Sequence, residues 1–354
     1  MAKKNILIIL LVLLGFSLIG LFIIYQVLSS PMDKSSNADI EVVIPSGMTT
    51  KNISKLLENK NLIRSGTFFR IYVKLNNISS LKASTYTLKK NMNLMEICKT
   101  LEQGNHYNKD NVTITFKEGQ AFTQYAEEIA MRTNNKYEDV ISLGKDNTYL
   151  QKVIAKYSFL TEEILNPNIY YPLEGYLAPN TYQFKNKSVT VEEIFEVMLN
   201  QTEKELKKYE QVGNKYTIHQ YLTLASMLEQ EGTNKTNRKE IAGVFYNRLQ
   251  KGMNLGSDVT TYYALQVPMT SDLTTTQFNK ANPYNTRGPG MEGKLPIGPI
   301  CNPSIVSIES SFSPSENDYL YFVADKKGKI YYTKTNEEHL QKVQEIKDKG
   351  DWIW

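Results

Sequence analysis

The feature that most constrains this chain is an apolar run close to its start. No charged residue occurs from Ile6 to Ile24. About 20 apolar residues coiled as an α-helix cross the hydrocarbon of a bilayer. Tyr25 and Gln26 follow as interfacial residues, and Lys3 and Lys4 precede the run. Lysines at one end keep that end in the cytoplasm, so the remainder is expected outside. A cleaved leader would have an apolar core of only about 7–15 residues and a small-x-small cleavage site. Gln26-Val27-Leu28-Ser29-Ser30 matches such a site poorly, and no cysteine follows for lipidation. The reading is an uncleaved single-pass anchor: residues 1–4 a cytoplasmic tail, 5–28 a transmembrane helix and 29–38 a tether. The tether, Ser29 to Ala38, is polar and turn-rich. Its maximal reach, on the order of 35 Å, keeps the following residues near the membrane.

The length of 354 residues exceeds one ordinary core and predicts two compact units. Hydrophobic residues at 41% and charged residues at 22% predict that most of the chain folds. The net charge of +4 is small for this size, and basic residues are interspersed with acids, which argues against a nucleic-acid partner. Cys98 and Cys301 are too few for a disulfide-held scaffold. They read as free thiols or small buried hydrophobes, and spacing leaves a bond between them open. His106, His219 and His339 lie far apart, and neither H-x-x-x-H nor C-x-x-C occurs. No metal or cofactor is therefore expected. Nucleotide-binding glycine loops, Ser-His-Asp patterns and catalytic Cys-His pairs are likewise missing from the sequence.

An extended segment, a turn and an amphipathic helix recur at Val42–Leu57, Tyr86–Leu101 and Ile114–Ile129. With Gly47, Asn91 and Gly119 as turn residues, Ile44, Leu88 and Phe116 stand three positions earlier. Ile53, Ile97 and Tyr125 stand six later, and Leu57, Leu101 and Ile129 ten later, on one helix face. Gly and Asn are the residues that tolerate a left-handed turn. The pattern reads as a small αβ module for binding or positioning, assigned to residues 39–133. Residues 136–207 read as helical, interrupted by a loop over Glu174–Tyr182. Thr217 to Glu231 reads as a helix started by Thr217 and ended near Gly232, and Asn237 to Lys251 as a second. Met253–Asn302 is rich in Gly and Pro and reads as loops. Tyr319–Ala324 and Lys329–Thr333 read as strands, and Glu337–Lys347 as a final helix.

Candidate chemistry lies at the end of the Thr217–Glu231 helix. A carboxyl acts as an acid near neutral pH when apolar burial disfavours its charged form. Glu229 follows Leu222, Leu224, Ala225, Met227 and Leu228, and stacks over Ala225 and Ser226 at helical spacings of four and three. Glu231, two residues on, points roughly opposite. Both helix faces are apolar, so periodicity alone does not choose between the two acids.

Several segments, in order, resemble one family. Leu224-Ala225-Ser226-Met227-Leu228-Glu229-Gln230-Glu231 is similar to the A-S-[IL]-[VIL]-E-K-E signature of the endolytic murein transglycosylases, the YceG-like family. Val244-Phe245-Tyr246-Asn247-Arg248-Leu249 resembles its V-F-x-N-R-L. Asp258–Ala264, Tyr284-Asn285-Thr286, Leu295–Pro303 and Leu173–Tyr182 resemble further family segments, as do the closing strands and helix. The anchor and the I-P-x-G opening of a LysM-like module match as well, so the resemblance spans nearly the full length. Departures are Val259 after Asp258, Arg287 after Thr286, an insertion over Gly288–Lys294, and Ala178 and Asn180 in the Leu173–Tyr182 segment.

The resemblance implies an α+β protein: a transmembrane helix, a LysM-like module over 39–133 and a mixed α+β catalytic domain over 134–354. It implies a lytic enzyme acting on peptidoglycan glycan strands, with Glu229 as the acid/base group. That group protonates the bond between N-acetylmuramic acid and N-acetylglucosamine. It then takes the proton of the muramic C6 hydroxyl, leaving a 1,6-anhydro end. Substrate contacts are expected from Asp258, Tyr284, Asn285 and Thr286. Asp258 is equally open to a loop-organising role. Ser226, Glu231, Asn247 and Arg248 are expected in support, the last two as braces. Membrane-bound cell-wall synthesis enzymes are the implied partners. Rival readings are a hydrolase using Glu229 with Asp258, a non-catalytic wall-binding scaffold and a membrane receptor unrelated to sugars.

Overall fold

The computed structural model describes residues 2–45, 47–78, 80–104, 112–209, 215–232 and 234–352. For residues 2–14 and 16 it describes helical backbone alone, so the side chains of Lys3 and Lys4 lie outside the described residues, as does His106. Two compact units emerge, Met1–Asn111 and Val112–Trp354. Both are mixed α+β. The sheets among the described residues are three two-stranded antiparallel pairs.

The first unit opens with α1 (Ala2–Ser29), a continuous helix. Among the described residues no helix is long and apolar enough to cross a membrane. The remaining elements are β1 (Asp39–Ile44), α2 (Thr50–Asn59), α3 (Gly66–Leu75), β2 (Ser84–Lys89) and α4 (Leu94–Gln103). β1 and β2 pair antiparallel, from Asp39 opposite Lys89 to Ile44 opposite Ser84. Val42 and Ile44 alternate inward with Tyr86 and Leu88, the period of a half-buried sheet. Thr49 caps α2, and Asn93 with Glu96 forms a capping box on α4.

The second unit runs β3 (Val112–Thr115), α5 (Phe122–Arg132), α6 (Tyr137–Lys145), α7 (Asn147–Lys156), β4 (Thr181–Phe184), α8 (Val191–Leu206) and α9 (Ile218–Glu231). It continues with α10 (Lys235–Gln250), α11 (Asp258–Leu265), α12 (Thr275–Phe278), α13 (Ile305–Phe312), β5 (Tyr321–Ala324), β6 (Ile330–Thr333) and α14 (Asn336–Asp348). α9 is the shared wall of two apolar cores. Tyr221, Leu222 and Ala225 face one, with α5 and α8; Leu224, Met227 and Leu228 face the other, with α10. This explains why both faces of that helix are apolar. Its start is local: Thr217 and Gln220 exchange side-chain and backbone hydrogen bonds as a capping box.

The recurring αβ pattern is present as packing. All nine of its apolar positions are buried. The third copy, however, belongs to the second unit, because β3 pairs with β4 and not with β1 or β2. Thr181–Phe184, of which Thr181 and Tyr182 were read as loop and Gln183 and Phe184 as helix, is therefore strand. Gly47 and Gly119 take the left-handed turn at φ 81° and 77°, whereas Asn91 does not. The segment read as loops holds α11 and α12, and α13 follows it unforeseen. Cys98 and Cys301 are free and buried, which resolves their pairing. Burial pushes the Cys98 thiol up to about 12 and raises Cys301 as well.

Candidate active site

Glu229 stands in the last turn of α9 with its side chain 7% exposed, beside Arg238 at 13%. Arg238, in the early part of α10, donates from Nη2 to Glu229 Oε1 at 2.8 Å. Oε2 accepts three further bonds: from the Ser304 amide at 2.9 Å, the Ser304 hydroxyl at 2.6 Å and the Ser307 hydroxyl at 2.7 Å. Ser304 is the N-cap of α13, so the carboxyl group also meets that helix's positive end. The apolar surround anticipated for Glu229 holds for the helix beneath it and not for its carboxyl group. The donors come from α10 and α13, which the run before Glu229 does not reveal.

Glu229 and Gln230 form part of the lining of a cleft of about 770 Å³. A strap over Lys117–Ala121 lines one side, and Tyr262 and Tyr263 of α11 line another, with Tyr171 and Ile300 also present. The strap is held from several directions. Gln230 Nε2 donates to the Gly119 carbonyl at 2.7 Å, and the Gly119 amide donates to the Asn302 carbonyl at 2.9 Å. The Asn302 amide donates to the Gln120 carbonyl at 3.0 Å. A Cβ added at Gly119 would lie 3.5 Å from Glu229 Cγ, which measures how closely the strap approaches the glutamate.

A second carboxyl group lies behind the cleft wall. Glu174 is 1% exposed. The Phe122 amide, at the start of α5, donates to both of its oxygens at 2.9 and 3.0 Å. Asn302 Nδ2 donates to Oε1 at 3.2 Å, and the Tyr263 hydroxyl lies 3.1 Å from Oε2. Burial pushes the Glu174 carboxyl up to about 8, against the opposing effect of these hydrogen bonds. Gly175 beside it has φ 82°, and a Cβ there would meet Pro299 at 2.4 Å, so glycine is required by backbone and space together.

The anticipated site residues separate into groups. Ser226 is buried; its hydroxyl donates to the Thr223 carbonyl and accepts from the Ile300 amide, fastening the cleft's rear loop to α9. Glu231 turns away from the cleft and accepts from the Ser257 hydroxyl at 2.6 Å. Burial raises its pKa, aided by Asp258 and opposed by the Ser257 bond and Arg287. Asp258, at the start of α11, forms an ion pair with Arg287, so the departure at Arg287 has a local partner. Tyr284, Asn285 and Thr286 are buried and do not line the cleft. Tyr284 packs on Tyr263, with ring centroids 4.9 Å apart. Asn285 binds the Phe278 and Lys280 carbonyls and accepts from Thr261. Thr286 bonds Thr260 and accepts from the Ser257 amide. These three side chains build the cleft's support.

Asn247 and Arg248 are braces. Asn247 Nδ2 donates to the Asn317 and Tyr319 carbonyls. Arg248 donates to the Leu320, Asn254 and Leu255 carbonyls and lies over the Tyr321 ring. Sequence reasoning missed Arg238, Ser304, Ser307 and Glu174. Ser304 directly before the apolar pair Ile305-Val306 is an N-cap signal that would have located the start of α13. Nothing in the local pattern marks Arg238. Among the described residues no three His, Cys, Asp or Glu side chains gather as a metal site would.

Fold and site define an α+β cleft protein built around a clamped glutamate. The chain matches the YceG-like family over residues 42–345 and belongs to that family. It is 36% identical over 324 residues to an endolytic murein transglycosylase of Bacillus subtilis, covering 90% of this chain and 88% of that one. It is 34% identical to the endolytic murein transglycosylase of Streptococcus pneumoniae, spanning 60% of that protein's length and 89% of its own. Among solved structures, a putative yceG-like protein from Listeria monocytogenes is similar at a TM-score of 0.61 and 38% identity. That match covers 86% of this chain and 99% of the other.

Proposed function

We propose that this chain is an endolytic murein transglycosylase, cutting within peptidoglycan glycan strands and leaving 1,6-anhydro ends. The observation that carries this reading is Glu229 at the cleft wall, with both carboxyl oxygens engaged, in a member of the YceG-like family. Glu229 gives its proton to the oxygen between N-acetylmuramic acid and N-acetylglucosamine as that bond breaks. The carboxylate then accepts the proton of the muramic C6 hydroxyl, whose oxygen attacks the anomeric carbon and closes the anhydro ring. Arg238, Ser304 and Ser307 hold the carboxyl group in place and match the negative charge it carries between the two steps. One acid/base group suffices, since no water is consumed.

A hydrolase would need a second carboxylate. Asp258 is committed to Arg287 and does not line the cleft, which weighs against pairing it with Glu229. Mass analysis of glycan strands digested by the purified chain tests the reading directly. Anhydro-ended fragments of internal origin are expected. Reducing ends alone would assign hydrolysis, with Glu118, the other carboxylate on the cleft lining, as the residue to examine next. Intact strands would leave a wall-binding scaffold.

The apolar run Ile6–Ile24, on the continuous helix α1, supports a single-pass anchor with the second unit outside the cytoplasm. The β-α-α-β order of the first unit, over β1 to β2, supports reading it as a LysM-like positioning module. So placed, the chain would work beside membrane-bound enzymes that extend glycan strands, with newly made strands as substrate. A C-terminal enzyme reporter active only outside the cytoplasm is expected. Reporter activity in the cytoplasm would remove the anchor orientation, the location and these partners together.

A further inference from the structure

We infer that Glu174 is a positioning residue of the cleft, whose neutral carboxyl group donates to Tyr263 and so leaves the tyrosine's own proton for a sugar oxygen. The inference rests on reading the cleft beside Glu229 as the place of strand cleavage. Its ground is the arrangement around a carboxyl group that has no ion-pair partner among the described residues. A charged carboxylate buried without a cation is costly, and the neutral form avoids that cost. The titratable groups facing Glu174 are Tyr125 of α5, Tyr171, Tyr263 of α11, Tyr284 and Cys301. All are uncharged near neutral pH, so none supplies the missing positive charge.

The hydrogen-bond inventory then fixes the proton's place. Oε1 faces the donors Phe122 N–H and Asn302 Nδ2, neither of which can accept. Oε2 faces the Phe122 amide and the Tyr263 hydroxyl, and only the hydroxyl can accept. The carboxyl proton therefore sits on Oε2 and points to Tyr263 across 3.1 Å. Tyr263 lines the cleft with Glu229, and a hydroxyl that accepts from Glu174 keeps its own proton to give, either to the neighbouring Tyr284 or to a sugar oxygen that enters the cleft. When Glu174 ionises, the bond reverses: Tyr263 donates to the carboxylate and its proton leaves the cleft. Supporting this, burial places the Glu174 transition at about 8.

Glu174→Gln separates the two states. Its carbonyl would take the Oε1 position facing Phe122 and Asn302, and its NH2 the Oε2 position, donating permanently to Tyr263. The experiment measures kcat and KM of the full chain in detergent on uncrosslinked glycan strands from pH 6 to 9.5, for wild type, Glu174→Gln, Tyr263→Phe and Glu229→Gln. In the wild type KM is expected to rise about 3- to 10-fold as pH passes about 8, with kcat less affected. Glu174→Gln should hold the neutral-pH KM throughout. Tyr263→Phe should show the raised KM at every pH. A Glu174→Gln enzyme that keeps the alkaline rise, or a Tyr263→Phe enzyme equal to wild type at neutral pH, overturns the inference. Should Glu174→Gln fail to fold, the wild-type profile decides together with Tyr263→Phe: a wild-type KM that stays flat through pH 8 overturns the inference. A fully active Glu229→Gln would instead overturn the reading of the cleft on which the inference rests.

Discussion

Glu229→Gln is expected to lower strand cleavage by a factor of about 10²–10⁴, because the amide keeps the shape of the side chain and removes its transferable proton. The same group serves as acid and then as base, so the upper part of that range is anticipated. Gln can still accept from Arg238 through its carbonyl, and the Ser304 and Ser307 hydroxyls can turn to accept from its NH2 group. The Ser304 amide cannot turn and would face that NH2 donor to donor, so a thermal melt of the variant accompanies the assay. Glu231→Gln provides the comparison. Glu231 bonds Ser257 and does not line the cleft, so its replacement should cost far less. Release of anhydro-ended fragments by folded protein is the readout. Near-wild-type cleavage by Glu229→Gln, or a dead Glu231→Gln beside it, would refute the assignment.

Arg238→Met is expected to destabilise the protein by about 3 kcal/mol, since removing one member of a largely buried ion pair strands the other. The three remaining bonds to Oε2 place the effect at the lower end of what such a loss costs. Glu229→Gln should suppress the defect, because a neutral amide has no charge to strand. The double substitution should thus be more stable than Arg238→Met alone, a non-additivity that direct partners show. Urea unfolding of the four proteins measures it. Equal stability of Arg238→Met and wild type would mean that Arg238 contributes charge to the site without holding it together.

Of the elements around the site, α9 and α10 were legible before the structure, and α11 and α13 were not. Thr217, the apolar run behind Glu229 and the break at Gly232 mark α9 within one turn. The strands and helix near the C-terminus also follow from period and turn chemistry. Less legible were elements whose identity depends on a partner. β4 is a strand because β3 lies beside it, and a run of Thr-Tyr-Gln-Phe after a Pro-Asn turn does not announce that alone. The third αβ copy looked like a continuation of the first two because its apolar spacing is the same. Which unit it joined was decided by strand pairing across 66 residues, from Thr115 to Thr181.

The same division runs through the site. The sequence by itself determined that α9 would be a helix apolar on both faces and that two glutamates would stand at its end. Capping and periodicity act over three to seven residues, so a short window contains them. Only the tertiary structure distinguished the two acids. Glu229 meets donors 9, 75 and 78 residues away, at Arg238, Ser304 and Ser307, while Glu231 meets Ser257 across 26. It also moved Tyr284, Asn285 and Thr286 behind the wall and brought Glu174 to Tyr263 across 89 residues. Hydrogen bonds reach about 3 Å, and which groups come that close is settled by how the helices pack.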